Sequence, residues 1–253
     1  MLIDESRLGR VIVVRGYLIG AALLGLACGS GPACAQLSVD RLWVDFEPGI
    51  APRADVVIRN ESEDRYYITV TPAEITNPGT DQEKRVEMAD PEALGLLVTP
   101  NRLVIDPNGI RSIRIVSLDT NLEKDRIYRV KITPQVGDLQ SKVAAGGKGI
   151  AIKVLAAYDI LVTARPGKAK AELSVARGPG ELVIRNVGNS NTLLYEGQAC
   201  ATKAAAKPES CTSLGARRLY SGNEWKIAIP ADQPQVHFKQ RSLASSDPKE
   251  VGF

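Results

Sequence analysis

The chain has 253 residues, 24% of them charged, with 32 lysines and arginines against 29 aspartates and glutamates. Charge this close to balance argues against a protein that binds nucleic acid or an anionic membrane through a strong electrostatic field. The sequence contains a single histidine and no phosphate-loop, dinucleotide-binding or Gly-x-Ser-x-Gly pattern, so the common catalytic and nucleotide-binding motifs are excluded.

We therefore expect no enzymatic activity, no cofactor and no metal site. The carboxylates lie scattered at turns, which is typical of a solvated surface, although a glycosidase with paired carboxylates stays open as an alternative. His237 lies between Val236 and Phe238 on a late strand, and we interpret it as a structural side chain rather than a metal ligand.

The first 35 residues have the pattern of a secretory signal peptide. A basic segment is formed by Arg7, Arg10 and Arg15. An apolar stretch at 16–28 follows, and Ala33-Cys34-Ala35 supplies the small-residue pattern for cleavage before Gln36. The alternatives are an uncleaved membrane anchor, for which the apolar run is short, and a lipoprotein that begins at Cys28.

Two cysteines remain after the predicted cleavage, Cys200 and Cys211. An even, isolated pair in an oxidising compartment predicts a disulfide bond. Zinc binding is the alternative, and two cysteines with one histidine make a poor ligand set for it.

From residue 37 onward, short alternating stretches are separated by Gly and Pro turns, which is typical of β-sandwiches. The first half contains strands predicted at 37–46, 55–59, 66–71, 94–99, 102–105, 110–115, 126–133 and 149–166. After Gly167 the pattern restarts, with strands predicted at 172–175, 182–187, 192–196, 217–220, 225–229 and 235–239. The sequence thus predicts an all-β protein with a signal peptide at 1–35 and two sandwich domains, at 36–166 and 167–253.

The stretch at 149–166, GIAIKVLAAYDILVTARP, is the longest of these segments. One face at period two carries the side chains of Ile150, Ile152, Val154 and Ala156. Two interpretations are open: a central strand of the sandwich core, or a strand that is offered to another protein as its missing strand. The alternation alone favours the core strand.

Several segments, in this order, resemble the periplasmic pilus-assembly chaperones, the PapD-like superfamily, in the alternate or alpha branch of the chaperone–usher pathway. These segments are 67–80, 96–100, 107–115 and 127–130. The most telling pieces are the NPGT turn at 77–80 and the LVTP segment at 97–100. In the second half, residues 186–189 and the two cysteines also fit that branch.

The resemblance implies two immunoglobulin-like domains arranged as an L, and a function without catalysis or cofactor. A chaperone of this kind lies in the periplasm, binds pilus subunits and delivers them to an outer-membrane usher. It lends a strand to a subunit that lacks one. The slot that is exposed in the subunit's core would then be filled by one face of this strand, which carries Ile150, Ile152, Val154 and Ala156. The alternative is that the chain is itself a pilus subunit or a carbohydrate-binding surface module.

The chain departs from the family pattern at the cleft between the domains. The best-studied members hold the subunit's terminal carboxylate with two basic residues, and those places here are Trp43 and Leu161. Arg41, placed on the same face of the predicted first strand as Trp43, is the replacement predicted here, with Lys153 as a second candidate.

The resemblance also assigns a role to Arg165. It matches a basic residue that pairs with acids across the domain junction, and Asp125 matches one of the partners. We therefore expect an ion pair between Arg165 and Asp125 that sets the orientation of the domains. The alternative is a solvent-exposed pair worth less than about 1 kcal/mol.

Export is tested at the N-terminus. The pattern Ala33-Cys34-Ala35 predicts that protein purified from the periplasm begins at Gln36, which N-terminal sequencing or intact-mass analysis measures. Purified native protein that still carries residues 1–35 would contradict the prediction.

Overall fold

The computed structural model describes residues 37–119, 121–137, 154–201 and 211–253. Within these ranges the chain forms eighteen strands and one helix of four residues, α1 (Pro91–Leu94). The strands make four sheets: two between residues 37 and 164 and two between residues 173 and 252. The predicted all-β fold with two sandwiches is confirmed.

The first sandwich is formed by the two sheets between residues 37 and 164. One sheet has, in spatial order, β1 (Leu37–Val39), β3 (Arg53–Asn60), β8 (Ile110–Ser117) and β6 (Leu96–Thr99). The other has β2 (Trp43–Phe46), β10 (Tyr158–Ala164), β9 (Arg126–Val136), β4 (Tyr66–Thr76) and β5 (Lys84–Val86), with β7 (Arg102–Ile105) also paired to β4. β2 and β10 run parallel.

Alternation along these strands builds the core of the first sandwich. Ile58 of β3 and Ile115 of β8 are fully buried, and so are Tyr128 and Ile132 of β9 in the other sheet. All four belong to one apolar cluster. Each such side chain contributes about 1.5–3 kcal/mol when it leaves water, so the period-two pattern largely determines which face of each strand is buried.

The second sandwich is formed by the two sheets between residues 173 and 252. One contains β11 (Leu173–Gly178), β12 (Glu181–Asn186) and β16 (Glu224–Ala228). The other contains β14 (Thr212–Leu214), β13 (Thr192–Cys200), β17 (Gln235–Arg241) and β18 (Lys249–Gly252), with β15 (Arg217–Leu219) paired to β13. Its core is a separate apolar cluster that includes the buried side chains of Ile184, Leu194 and Phe238.

The single strand predicted at 37–46 is wrong: the structure divides it into β1 and β2, which belong to different sheets. Asp40 causes the break. Its backbone N–H donates to the Val57 carbonyl over 3.0 Å, and its Oδ1 accepts the Val57 N–H over 2.8 Å. Because the chain leaves one sheet and enters the other here, Arg41 and Trp43 do not share a strand face.

The strand predicted at 149–166 is too long at its N-terminal end. Residues 149–153 lie outside the described residues, 154–157 have no regular structure, and β10 begins at Tyr158. The pairing of β10 with β9 starts at Tyr158 opposite Ile132, although β9 itself continues to Val136. Ala156 and Ala157 offer little apolar area to hold this segment against the sheet.

Four short elements are absent from the sequence prediction: β5, β14, β18 and α1. The helix α1 is a single turn, too short for a 3.6-residue period to show. Asp90 caps it by accepting the Glu92 N–H over 3.0 Å, and Gly95, at φ 74°, ends it in the left-handed region. Such a turn is specified by its capping residues rather than by apolar periodicity.

The predicted disulfide bond between Cys200 and Cys211 is confirmed. Cys200 is buried at the end of β13, and Cys211 immediately precedes β14. The bond therefore joins two neighbouring strands of the second sandwich.

Removal of the disulfide should destabilise the second sandwich alone. Replacing both cysteines by alanine is expected to lower the free energy of unfolding by at most about 3 kcal/mol, the loop-closure value for a short loop. Differential scanning calorimetry of the variant beside the unreduced parent measures the loss. Two reactive thiols in the unfolded, unreduced parent protein would contradict the bond.

Candidate functional site

Arg165 follows β10 directly, and its side chain is 0% exposed. Its Nε and Nη2 donate to the two carboxylate oxygens of Asp45 over 2.6 and 2.8 Å. The parallel pairing of β2 and β10 places Thr163 opposite Asp45, so Arg165, two residues further, extends from the same face. This geometry is bidentate, and bidentate arginine–carboxylate pairs are stronger than those with a single hydrogen bond.

Ser190 connects Arg165 to a second acid. Arg165 Nη1 donates to Ser190 Oγ over 2.6 Å, and that hydroxyl donates to Asp125 Oδ2 over 3.1 Å. The direct distance from Arg165 Nη1 to Asp125 Oδ2 is 3.7 Å. The structure thus brings the two predicted residues together, with Ser190 between them and Asp45 as the nearer acid.

Asp125 is held by the second sandwich. Its Oδ2 accepts the Asn191 backbone N–H over 2.7 Å and the Asn191 side-chain Nδ2–H over 2.5 Å. Its Oδ1 is buried without a hydrogen-bond partner within the described part of the chain. Burial raises the pKa of Asp125 above its ordinary value, although the hydrogen bonds from Asn191 and the charge of Arg165 act in the opposite direction.

The loop that presents Ser190 is fixed by Asn186, which is fully buried. The Asn186 Nδ2 donates to the carbonyls of Ser190 and Leu219 over 2.8 and 3.0 Å, and its Oδ1 accepts the Gly188 N–H over 3.0 Å. A Cβ on residue 188 would lie 2.2 Å from the Lys170 carbonyl oxygen, so the loop needs glycine there. One asparagine therefore positions the loop through hydrogen bonds that lie entirely within the second sandwich.

Glu47 makes a second link between the sandwiches. It accepts the Ser245 backbone N–H over 3.0 Å and also the Ser245 hydroxyl. Burial opposes its charge, but these hydrogen bonds, together with one from the Ala244 backbone, lower the pKa of Glu47 below its ordinary value. The ionised form of Glu47 is thus favoured at the junction.

The NPGT turn makes a third link. The Pro78 carbonyl accepts a hydrogen bond from Asn223 Nδ2 over 3.2 Å, and the Gly79 carbonyl accepts one from Arg217 Nη2 over 3.4 Å. A Cβ on residue 79 would meet Asn223 and Tyr220 at 3.0 and 3.2 Å. The turn that carries the family resemblance therefore also contacts the second sandwich.

Trp43 and Leu161 are direct neighbours across the parallel pair β2–β10. On its other side Leu161 is paired with Arg129 of β9, so the three residues form one row across the sheet. From the second sandwich, the guanidinium of Arg218 lies 5.2 Å from the centre of the Trp43 ring. The two places that are basic in the best-studied chaperones thus lie side by side here and are apolar or aromatic.

The predicted carboxylate anchors are not brought to this row. Arg41 donates from Nε and Nη2 to Asp40 Oδ2 over 3.0 and 2.9 Å, and its side chain is 49% exposed. Lys153 lies outside the described residues. The assignment of these two residues as anchors stays a prediction.

The predicted subunit-binding face is described only in part. Ile150 and Ile152 lie outside the described residues. Val154 is 83% exposed and Ala156 is exposed, whereas Leu155 between them packs against the core of the first sandwich. The alternation predicted for the strand thus persists at 154–156, with the Val154 face open to water.

Asp45, Ser190 and Asn191 were not predicted from the sequence. Asp45 carried a usable signal, because period two places it on the same face as Trp43. Ser190 and Asn191 lie in a polar loop whose composition fits any surface turn, and only the fold brings them to Arg165.

Within the described ranges, no helix is both long and apolar enough to cross a membrane. In the same ranges, no three His, Cys, Asp or Glu side chains lie close enough together to hold a metal ion.

No protein-family model matches the chain. Two curated relatives come from Escherichia coli, and both are named as fimbrial subunits. The relative from the CS1 system is 24% identical over 68% of this chain and 72% of its own length. The relative from the CFA/I system is 26% identical over 53% of this chain and 56% of its own length.

Solved structures match over most of the chain. The class 5 fimbriae chaperone CfaA has a TM-score of 0.67 and 19% identity, over 86% of this chain and 97% of that one. A chain from a chaperone–tip adhesin complex of CFA/I fimbriae has a TM-score of 0.62 and 18% identity, over 87% of this chain and 98% of its own. The archaic CsuC–CsuE pre-assembly complex of Acinetobacter baumannii gives a TM-score of 0.54 and 15% identity, over 86% and 98%. The chain therefore has the two-domain β fold of fimbrial chaperones.

The buried ion pair is tested by Arg165→Ala. This change leaves Asp45 and Asp125 without their cation in a place that water does not reach, so we expect a loss of roughly 3–5 kcal/mol in the free energy of unfolding. Urea unfolding measures it, and small-angle scattering measures whether the two sandwiches separate.

The matched control is Arg114→Ala, which removes an arginine whose pair with Asp55 is half exposed on both sides. It should change stability little, because exposed ion pairs are weak. Asp125→Asn should cost less than Asp45→Asn, because burial already disfavours the charge of Asp125. Equal stability of Arg165→Ala and Arg114→Ala, with an unchanged scattering profile, would contradict the role of Arg165.

Proposed function

We propose that the chain is an exported periplasmic chaperone that binds pilus subunits by donor-strand complementation and delivers them to an outer-membrane usher. The observation that carries the proposal is the match of its fold to fimbrial chaperones over nearly their whole length. Two of the matching structures are named as complexes of a chaperone with a tip subunit. The proposal needs neither catalysis nor a cofactor.

The donor segment lies where β10 loses its pairing. β10 pairs with β9 from Tyr158 onward, and the preceding residues from Val154 are described without a strand partner. A pilus subunit is an incomplete sandwich with an open edge and an exposed apolar slot. An added strand satisfies main-chain groups along that edge, and alternate apolar side chains fill the slot. Val154 and Ala156 would supply two of these side chains, and Ile150 and Ile152 precede them at period two.

The junction would set the orientation of the second sandwich against this segment. Arg165 ends the chain segment that begins with the donor residues, and its contacts with Asp45 and Ser190 connect that segment to both sandwiches. We propose that the Arg165–Asp125 pair, mediated by Ser190, fixes this orientation and binds no subunit group itself.

The alternative is a pilus subunit or a carbohydrate-binding surface module. The pilus subunit is considered because both curated relatives are named as fimbrial subunits. A subunit is expected to be an incomplete sandwich with an N-terminal extension. Here each half of the described chain has two sheets around its own apolar cluster. We therefore prefer the chaperone.

The test is Val154→Asp. Since Val154 is 83% exposed, the change should leave the melting temperature almost unchanged. On capture the same residue would enter an apolar slot, where burial of valine is worth about 1.5–3 kcal/mol and a charge costs more than the lost burial. We therefore expect a sharp fall in the yield of a pilus subunit from the same organism that is co-expressed and co-purified with the variant.

Two matched controls accompany it. Val175→Asp changes an exposed valine of the second sandwich and should preserve both folding and capture, whereas Val162→Asp places a charge in the core and should unfold the first sandwich. Full subunit yield with Val154→Asp would remove residue 154 from the binding face. A parent protein that captures none of the organism's pilus subunits would end the proposal.

A further inference from the structure

The pairing between β10 and β9 stops at a place where β9 itself continues. Tyr158 lies opposite Ile132, and this is the last pair of the two strands. β9 runs on to Val136, which still pairs with Tyr66 of β4. Beyond Ile132 the other edge of β9 has no partner strand in the described part of the chain. The loss of pairing at 154–157 therefore has a local cause and does not result from the end of β9.

The N–H and C=O groups of alternate β9 residues point to β10, and these residues have even numbers. In β10 the Leu161 N–H donates to the Leu42 carbonyl over 3.0 Å, so Leu161 points to β2 and its neighbour Ile160 points to β9. From the other side, the Val70 N–H of β4 donates to the Asn101 carbonyl over 2.8 Å, so Val70 and its β9 partner point away from each other. Both observations give the same direction, which recurs at every second residue of an antiparallel pair.

Pro134 is the next residue of β9 that points to β10, and it has no N–H to donate. If the register of β10 continued, Pro134 would lie opposite Ala156. The Ala156 carbonyl would then lack its donor, because proline removes a ladder hydrogen bond on the side that its nitrogen faces. Pro134 is buried and lies opposite Ile68 of β4, where its nitrogen is not needed. The missing donor thus affects only the side of β10.

The loss of pairing coincides with a change in which side chains face the core. In β10 the even-numbered residues Ile160 and Val162 are fully buried. A continued strand would therefore point Val154 towards the core and Leu155 away from it. The structure shows the reverse, since Val154 is 83% exposed and Leu155 packs against the core cluster. The alternation is interrupted at 156–157, where both residues are exposed, and the break in pairing thus lets the Val154 face turn to water.

Two contacts hold the first paired residues of β10, so the boundary does not move further into the strand. The Tyr158 hydroxyl donates to the Leu37 carbonyl of β1, in the opposite sheet. The Asp159 carboxylate accepts two hydrogen bonds from Arg85 of β5, at 2.7 and 3.3 Å. The segment is therefore attached to both sheets of the first sandwich directly after the point where its pairing stops.

We propose that Pro134 is a positioning residue for strand donation: by withholding one backbone N–H from β10, it ends the ladder at Tyr158 and leaves the Val154 face free for a partner strand. That the partner is a pilus subunit rests on the function proposed above. With an N–H at position 134, Ala156 and Val154 would pair with β9 and turn towards the core of this sandwich. The same apolar side chains would then be buried in the chain itself and lost to the partner.

The test restores the missing donor. Pro134→Val keeps an apolar side chain at a buried position and gives residue 134 a backbone N–H. We expect amide hydrogen exchange at Ala156, measured by NMR, to slow roughly tenfold, which corresponds to one backbone hydrogen bond. A cysteine introduced by Val154→Cys should also react more slowly with a thiol reagent once Pro134→Val is added, because residue 154 turns inward.

Two further variants separate the N–H from the side chain. Pro134→Ala restores the same N–H with a smaller side chain, so it should slow exchange at Ala156 even if valine does not fit the core. The matched control is Pro72→Val in β4. The nitrogen of Pro72 faces away from β9, as that of Val70 does two residues earlier, so this change should leave exchange at Ala156 as in the parent.

Ala156→Val tests the competing cause, the small apolar area of the segment. It adds apolar area and leaves β9 unchanged. If Ala156→Val slows exchange at residue 156 while Pro134→Val and Pro134→Ala do not, apolar area and not Pro134 determines where the ladder ends. That result would overturn the proposal, and so would unchanged exchange in all three variants.

Subunit capture is measured separately, by co-purification with the same variants. Pro134→Val should lower the yield several-fold without lowering the melting temperature, and Pro72→Val should not change the yield. Slower exchange with full capture would overturn the role of Pro134 in strand donation. Unchanged exchange in Pro134→Val, with a parent that captures subunits, would overturn that role and leave the chaperone standing. Slower exchange with a parent that captures none would remove the proposed function and leave the effect of Pro134 on the ladder.

Discussion

The two hydrogen bonds from Arg165 to Asp45 join groups whose side chains are 0% and 5% exposed, and the contacts between the two sandwiches are arranged around them. A guanidinium in such a place must be fully paired, because an uncompensated buried charge is strongly destabilising. Asp45 satisfies it from the first sandwich, and Ser190 satisfies it from the second. A buried pair adds little net stability compared with apolar packing, so its contribution here lies in permitting one arrangement and penalising others.

That arrangement also determines the cleft. Asp45 and Trp43 lie on one face of β2, two residues apart, and Arg165 and Leu161 extend from the same face of β10. At the end of this face that carries Asp45, Arg165 donates a hydrogen bond to Ser190 of the second sandwich. At the apolar end, Arg218 of the second sandwich lies over the Trp43 ring. A change in the junction that moved the second sandwich would therefore also move Arg218 relative to Trp43.

Much of the fold was predictable because its strands alternate strictly: β7 was predicted with its observed bounds, and β3, β8 and β12 to within a few residues. The alternation gave a wrong prediction at Asp40. There the side-chain oxygen of Asp40 accepts the Val57 N–H, and the chain passes from one sheet to the other without a Gly or Pro to mark the change. The prediction failed again at 154–157, because alternation reports which face is apolar and does not report whether a partner strand is present. In the site, Arg165 and Asp125 came from the resemblance. Ser190, Asn191 and Arg218 are distant in sequence, and no local pattern connects them to β2.

One chain segment combines a fixed end with a free end. From Tyr158 to Arg165 it is held between β9 and β2 and is closed by the ion pair, whereas at Val154 it has left the sheet. For the proposed chaperone this division has a physical advantage. A segment already paired inside its own sheet would have to break those hydrogen bonds before lending its edge to a subunit, whereas an unpaired segment loses conformational freedom only on capture. The fixed end limits that loss, because it determines where the free end begins. In the proposed chaperone, tight attachment at Arg165 and exposure at Val154 would therefore be complementary parts of one donor strand.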